Sequence, residues 1–255
     1  MIKLITQVLK EIKYLHIILT TKLSEENFHI LFENAIKLID ISVIQVRHNK
    51  KYTKLSTNYL NIEAPTLVES FEKYQNGKKE YLQINYKQEN LAKMPTNTFG
   101  YEYSEFIKVL PPIKPVLSEN TDLLGYYKAR LLLTHDMLHI LLGADANIYG
   151  ETATFGFYCG QFFNPLSLIF LNILEFKATR SRDLMACNYL VDAFCQGYVI
   201  GKQATDISGV IFEEEFEEDL ETLRLKYRIS RIIPPLDADT ILPFKYNRIN
   251  NEAIV

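Results

Sequence analysis

The chain has 255 residues, 47% of them hydrophobic, and a formal charge of -3. That is enough apolar material to bury a substantial core as one domain or two small ones. It carries no broad basic stripe to release counterions from phosphate, which argues against nucleic acid as a partner.

In chain order, MIKLITQVLKEIKYLHIIL repeats apolar residues at Ile2, Ile5, Leu9 and Ile12, and NFHILFENAIKLIDISVIQV continues in the same style. Both predict core-packed helices. Lys3, Lys10 and Lys13 beside the broad apolar face of the first leave a membrane-surface helix as the alternative, although Glu11 dilutes the charge. The lysines, the missing small-residue cleavage site and the lack of arginine argue against a signal peptide or a mitochondrial presequence. The polar stretches after Arg47 and around QNGKKEYLQINYKQEN read as connections or exposed faces. His16, His29 and His48 have no accompanying cluster, and read as surface or satisfied core histidines.

The centre of the chain holds the chemistry. In THDMLHILLG, His135 and His139 lie one helical turn apart and Asp136 is three residues before His139, so the three side chains can share a face. Gly143 is a helix stop, Asp145, Asn147 and Gly150 are turn formers, and Glu151 opens a second, apolar helix from which a carboxylate can lean back toward the histidines. Apolar neighbours on both sides predict that these polar groups are buried, where they need partners. Imidazoles and carboxylates in this spacing point to a divalent metal held by His135, Asp136, His139 and Glu151. Zinc suits the ligand types best, with magnesium, manganese and iron left open. The pattern differs from the zinc peptidase His-Glu-x-x-His in having Asp, one methylene shorter, where the general base must reach a water. A phosphohydrolase of the His-Asp class would need a further histidine closer upstream.

From Thr152 to Leu174 run 23 residues without a charge, long enough to cross a membrane. Gln161, Asn164, Asn172 and Pro165 interrupt the run and favour a buried helix. Gly156 and Gly160 would admit either another backbone or a flat ligand, and Phe155, Phe157, Tyr158, Phe162, Phe163 and Phe170 supply apolar surface for a core or for a ligand tunnel. Cys159, Cys187 and Cys195, an odd number in apolar patterns, read as reduced core residues of a cytoplasmic protein rather than a disulfide framework. FEEEFEEDLETLRLKYRISR predicts a helix with Phe216, Leu220, Leu223 and Tyr227 beneath a solvated acidic face. From residue 229 onward the prolines suggest an extended tail.

His-Asp-x-x-His, eleven residues and then Glu resembles the signature of the fourth family of coenzyme Q (ubiquinone) biosynthesis proteins. Pro95, Thr98, Gly100 and Tyr103 are similar to that family's Pro-x-x-Thr-x-Gly-x-x-Tyr segment. Arg130, the Gly150-Glu151 pair, the stretch from Tyr198 to Gly201 and the acidic C-terminal segment are also similar. The resemblance covers roughly Met94 to Arg228. It departs between Tyr103 and Arg130, which is short and carries Pro111, Pro112 and Pro115, and in the tail.

The resemblance implies an all-α, bundle-like single domain over residues 1–228, with an apolar cavity beside the metal and a tail over 229–255. It implies binding of a long prenylated or acyl lipid by Phe155, Gly156, Tyr158 and Gly160, and peripheral contact with the inner face of a membrane. Arg130 would meet a carboxylate or phosphate head, although its own chemistry suits a salt bridge equally. The activity implied is oxidative removal of the ring carboxylate from a polyprenylated hydroxybenzoate, with hydroxylation at that carbon. The alternative is a non-catalytic lipid-binding scaffold for other quinone-biosynthesis proteins. The glycine pair and apolar helices would permit a homodimer.

Overall fold

A computed structural model describes residues 64–76, 87–109, 122–161, 165–180 and 182–236, with isolated positions between 13 and 34. Most of the two expected N-terminal helices, Phe162, Phe163, the prolines between 111 and 115 and the tail beyond 236 lie outside the described residues. The all-α class is as expected: the described residues form helices, with a lone bridge between Thr98 and Asp219.

The helices are α1 (Pro65–Gln75), α2 (Gln88–Leu91), α3 (Phe99–Val109), α4 (Leu123–Leu142), α5 (Ile148–Gln161), α6 (Pro165–Arg180), α7 (Leu184–Gln203) and α8 (Leu220–Tyr227), with a 3-10 turn at Phe212–Glu214. Aspartates start three of them. Asp122, Asp183 and Asp219 each accept a hydrogen bond from a backbone N–H in the first turn of α4, α7 and α8, satisfying a donor the helix itself cannot.

α4 is the hub, touching α1, α3, α5 and α8. Tyr126 of α4 is fully buried against Phe71 and Tyr74 of α1, and its hydroxyl meets Ser70 Oγ at 2.5 Å. The long uncharged run divides into α5 and α6, with Pro165 opening α6 in the position where a missing N–H costs nothing. Among the described residues no helix is long and apolar enough to cross a membrane.

α5 and α7 make the most extensive helix pair, and glycine is the reason. A Cβ on Gly156 would lie 2.2 Å from the Phe194 carbonyl oxygen, and one on Gly160 would lie 2.3 Å from that of Tyr198. Reciprocally, Gly197 faces the Ala153 oxygen at 1.9 Å and Gly201 the Phe157 oxygen at 2.3 Å. Of the two uses the glycine pair allowed, the structure shows the backbone one: the space beside Gly156 and Gly160 is filled by α7, not open to a ligand.

The acidic C-terminal segment is not one helix. Phe99 N and Gly100 N donate to the carbonyls of Glu218 and Phe216, and Leu220 N donates to that of Asn97. These bonds tie the turn at 216–219 to the start of α3, so α8 starts only at Leu220. Tyr103 stacks on Phe216 at 5.5 Å, so Gly100 and Tyr103 serve to dock α3 on this segment. Nor is the acidic face wholly solvated, since Glu213 is buried against Arg130. The first residues of the expected tail are also packed: Ile229 and Ile232 are buried. Cys159 is a core residue, but Cys187 is half-buried and Cys195 exposed; all three are free thiols.

Candidate metal centre

Three side chains from the α4–α5 hairpin converge. One ligand atom each from His135, His139 and Glu151 fall within 4.8 Å of one another. His135 Nε2 lies 3.2 Å from Glu151 Oε2, and His139 Nε2 lies 3.5 Å from Oε1. These are ion-pair distances without hydrogen-bond alignment, so His135 Nε2, His139 Nε2 and Glu151 Oε2 are buried polar atoms lacking a hydrogen-bond partner. Leaving such atoms unmet is costly. A divalent cation would satisfy all three, and the donor set of two imidazoles and a carboxylate is one that zinc and its neighbours accept.

The hairpin is built to hold this geometry. Gly143 caps α4 in the left-handed region at φ 61, which a residue with a side chain adopts only with strain. The last four carbonyls of α4 are all satisfied. His139 O accepts from Ala144 N, Ile140 O from Gly143 N and Arg224 Nη2, Leu141 O from Arg224 Nε, and Leu142 O from Ile232 N. Asn147 Oδ1 then accepts from Gly150 N at 2.8 Å and starts α5. Gly150 is helical, contrary to its expected role as a turn former. A Cβ there would lie 1.9 Å from the Asp145 carbonyl oxygen, so glycine lets the loop press on α5 and brings Glu151 over α4. Glu151 sits in the first turn of its helix, where the backbone dipole favours a negative charge.

The protonation pattern follows from the partners. His139 Nδ1 faces the Ala144 carbonyl at 3.2 Å. A carbonyl only accepts, so Nδ1 carries a proton, which leaves Nε2 as the ring nitrogen that a metal ion would take. His135 meets acceptors on both sides, Asp136 Oδ1 at Nδ1 and Glu151 Oε2 at Nε2. Burial alone would lower its pKa, but the Glu151 carboxylate, helped by Asp136, outweighs burial and lifts it to about 10. Burial would raise the Glu151 carboxyl; the two histidines more than offset that and hold it well below the usual carboxylate range.

Asp136 is buried beside this group but outside it, its carboxylate 3.3 Å from the His135 ring. Arg130 does not face the centre as a free cation. It is 1% exposed and donates to Glu213 at 3.2 Å and to the Val210 carbonyl at 2.7 Å, the salt bridge its chemistry allowed. Phe155 and Tyr158 do flank the site, with ring centroids 6.4 and 6.5 Å from His135. Phe155 stacks on Phe170 of α6 at 4.2 Å. Among the described residues a cavity of about 20 Å³ lies beside the site, lined in part by Thr134 and Tyr158. Three contributors had no sequence signal: Phe106, packed on His139 at 5.5 Å, the Ala144 carbonyl, and Arg224.

Residues 78–233 match the family described as coenzyme Q (ubiquinone) biosynthesis protein Coq4, beyond the expected 94–228 at both ends. The mitochondrial ubiquinone biosynthesis protein COQ4 homolog of Aedes aegypti is 29% identical over 143 residues, 54% of this chain and 51% of that protein. The mitochondrial COQ4 homolog 2 of Paramecium tetraurelia is 28% identical over 148 residues, 56% of this chain and 69% of that protein. The chain thus spans about half the length of the mosquito relative, and both relatives are named mitochondrial where the cysteines suggested the cytoplasm. The crystal structure of a protein from Nostoc punctiforme superposes with a TM-score of 0.66 over 87% of this chain and 95% of that one, at 18% identity, and shares the fold. With the family match covering well over half of the chain and all of the His135, His139 and Glu151 cluster, the chain belongs to the coenzyme Q (ubiquinone) biosynthesis protein Coq4 family.

Proposed function

We propose that this protein acts in coenzyme Q biosynthesis through a divalent metal centre, zinc by ligand type, that handles the head group of a polyprenylated hydroxybenzoate-type intermediate. The observation that carries this reading is the trio of buried, unpartnered ligand atoms on His135, His139 and Glu151. Asp136 is the fourth ligand in this proposal, being the carboxylate next to the trio. When bound, the ion supplies a Lewis acid that orients the phenolic head and offsets negative charge developing on it.

The residues around the centre do the rest. The Ala144 carbonyl fixes the His139 tautomer, while Phe106, Phe155 and Tyr158 wall the imidazoles from water. The prenyl tail lies along the apolar surfaces of α5 and α6 near the Phe155–Phe170 stack, each buried methylene contributing about 0.8 kcal/mol. The reaction class is replacement of the ring carboxylate by hydroxyl. It releases carbon dioxide and takes up one oxygen atom, so it requires an oxidant from solution. The protein works in the mitochondrion, the compartment given in its relatives' names, and in this proposal it does so peripherally on a membrane beside other quinone-biosynthesis proteins.

Native mass spectrometry with elemental analysis tests the reading: a divalent ion and a co-purifying isoprenoid or acyl chain are expected together, and His139→Ala should lose the ion and any turnover of carboxylated prenyl phenols. A fully metallated, active His139→Ala protein would overturn it. One observation favours a second reading, a non-catalytic scaffold with a structural metal: Arg130, the cation expected to meet the head group, is committed to Glu213. Rescue of quinone synthesis by a metal-free ligand variant would select the scaffold, and turnover by the purified protein would exclude it.

A further inference from the structure

The first turn of α5 carries two side chains that reach opposite neighbours. Tyr149 and Glu151 are two residues apart, about 200° around a helix. Glu151 reaches His135 and His139 of α4, whereas Tyr149 reaches α7. Its ring is 1% exposed, and its hydroxyl donates to Asp192 Oδ2 at 2.5 Å and accepts from Gln196 Nε2 at 2.8 Å. Gln196 Nε2 also lies 3.0 Å from Asp192 Oδ2, so each of the three side chains is bonded to the other two.

The network continues to α4 by another route. Gln196 Oε1 accepts from Ile233 N at 2.8 Å and Nε2 donates to Ile233 O at 3.0 Å, a side-chain amide paired with a backbone residue in both directions. Next to it, Ile232 N donates to the carbonyl of Leu142, the last residue of α4, three positions after His139. Hydrogen bonds thus run from Tyr149 through α7 and residues 232–233 to the end of the helix that carries both histidines.

We propose that Tyr149, Asp192 and Gln196 are positioning residues for Glu151: they fix the rotation of the first turn of α5 about its own axis, and with it the place of the carboxylate over His135 and His139. Burial does not call for a hydroxyl at 149, since phenylalanine would fill the same space without a polar atom to satisfy. The glycine contacts of Gly156 and Gly197 set how closely α5 and α7 approach, but apolar packing is not directional. A hydrogen bond is, and this one acts on the face of the turn opposite Glu151.

The test compares Tyr149→Phe with Tyr126→Phe in the full chain. Tyr126 of α4 is also buried and bonded through its hydroxyl, to Ser70, so both variants keep a ring, lose one hydroxyl bond and should show similar falls in Tm. In the metal-free protein, long-range nitrogen-15 NMR should show the ring nitrogens of His135 and His139 shifted in Tyr149→Phe and unmoved in Tyr126→Phe. Asp192→Ala, which leaves the Tyr149 ring in place, should move the same signals if Tyr149→Phe folds poorly. A second readout rests on the metal reading of the centre: zinc affinity should fall about tenfold in Tyr149→Phe, the low end for loss of an orienting group, and the visible bands of bound cobalt(II) should change, with neither effect in Tyr126→Phe. Histidine signals unmoved in both Tyr149→Phe and Asp192→Ala, or moved equally in Tyr126→Phe, would overturn the proposal. Histidine signals that move as expected in a protein whose wild type binds no zinc would support the positioning role and overturn the metal reading instead.

Discussion

Replacing Gly197 with alanine sets two effects of opposite sign against each other. In a helix interior the change gains about 1 kcal/mol, because glycine loses more backbone freedom on folding than any other residue. At this position, however, the new Cβ would lie 1.9 Å from the Ala153 carbonyl oxygen and 2.9 Å from Phe157 N. Both obstacles are backbone, so no rotamer change relieves them. Ordinary contact begins near 3.4 Å, and α5 and α7 must part locally by more than 1 Å. A gap of 0.5–1 Å already forfeits about a quarter to a half of the dispersion energy between facing atoms. Overpacking of this kind costs about 1–3 kcal/mol and at times more; with the upper figure, set by an immobile backbone, the net is about 2 kcal/mol destabilising. Urea unfolding of the metal-free protein should show it, with Tm lowered by about 4–8 °C. Because Ala153 is two residues beyond Glu151, zinc affinity should weaken although no ligand has changed. The Gly156→Ala, Gly197→Ala double variant should lose less than the sum of the two, since one separation relieves both clashes. A Gly197→Ala protein about 1 kcal/mol more stable than wild type, with unchanged zinc affinity, would refute the reasoning.

Three further outcomes follow from the centre and its supports. On the proposed four-ligand reading, Asp136→Asn and Glu151→Gln should both lose stoichiometric zinc binding by equilibrium dialysis; a residue that merely orients a ligand would cost about 10–100-fold in affinity instead. Since His135 holds its proton up to about 10 in the metal-free protein and a metal requires the neutral ring, calorimetry in buffers of differing ionisation enthalpy at pH 7 should detect about one proton released per ion. Zinc affinity should therefore rise about tenfold per pH unit between roughly pH 6 and 8, and a flat profile would contradict a proton on His135 in the metal-free protein. Arg224→Met leaves the Leu141 carbonyl buried and unmet and removes two charged hydrogen bonds to the end of α4. It should cost about 3 kcal/mol, read as a fall in Tm of about 6–12 °C, and a loss below about 1 kcal/mol would show that water replaces the guanidinium there.

What the sequence made legible and what it hid divide by the range of the forces involved. The Gly143 stop and the spacing of His135, His139 and Glu151 are local matters, because helix periodicity and capping act within a few residues, although α5 starts at Ile148 rather than at the expected Glu151. Those features are where the spacing put them. Arg130 is different. Its partner Glu213 is 83 residues away, and a guanidinium meets a bound phosphate and a protein carboxylate with the same chemistry, so only the fold decides between them. Gly156 and Gly160 were ambiguous for a related reason: a missing Cβ marks close approach but not what approaches. The acidic segment misled because its helical spacing is real, yet its backbone N–H and C=O groups are claimed by residues 97–100, a competition that periodicity does not register. Arg224 had no signal because it acts on backbone carbonyls, which every residue carries. The cluster of His135, His139 and Glu151 thus rests on two kinds of support. The ligands and their turn are written in adjacent residues, while the rigidity of that turn comes from a C-terminal arginine and from Ile232, which bind the end of α4 from more than eighty residues away. Losing the segment that carries Arg224 and Ile232 would therefore leave His135, His139 and Glu151 in the chain and still loosen the geometry that brings them together.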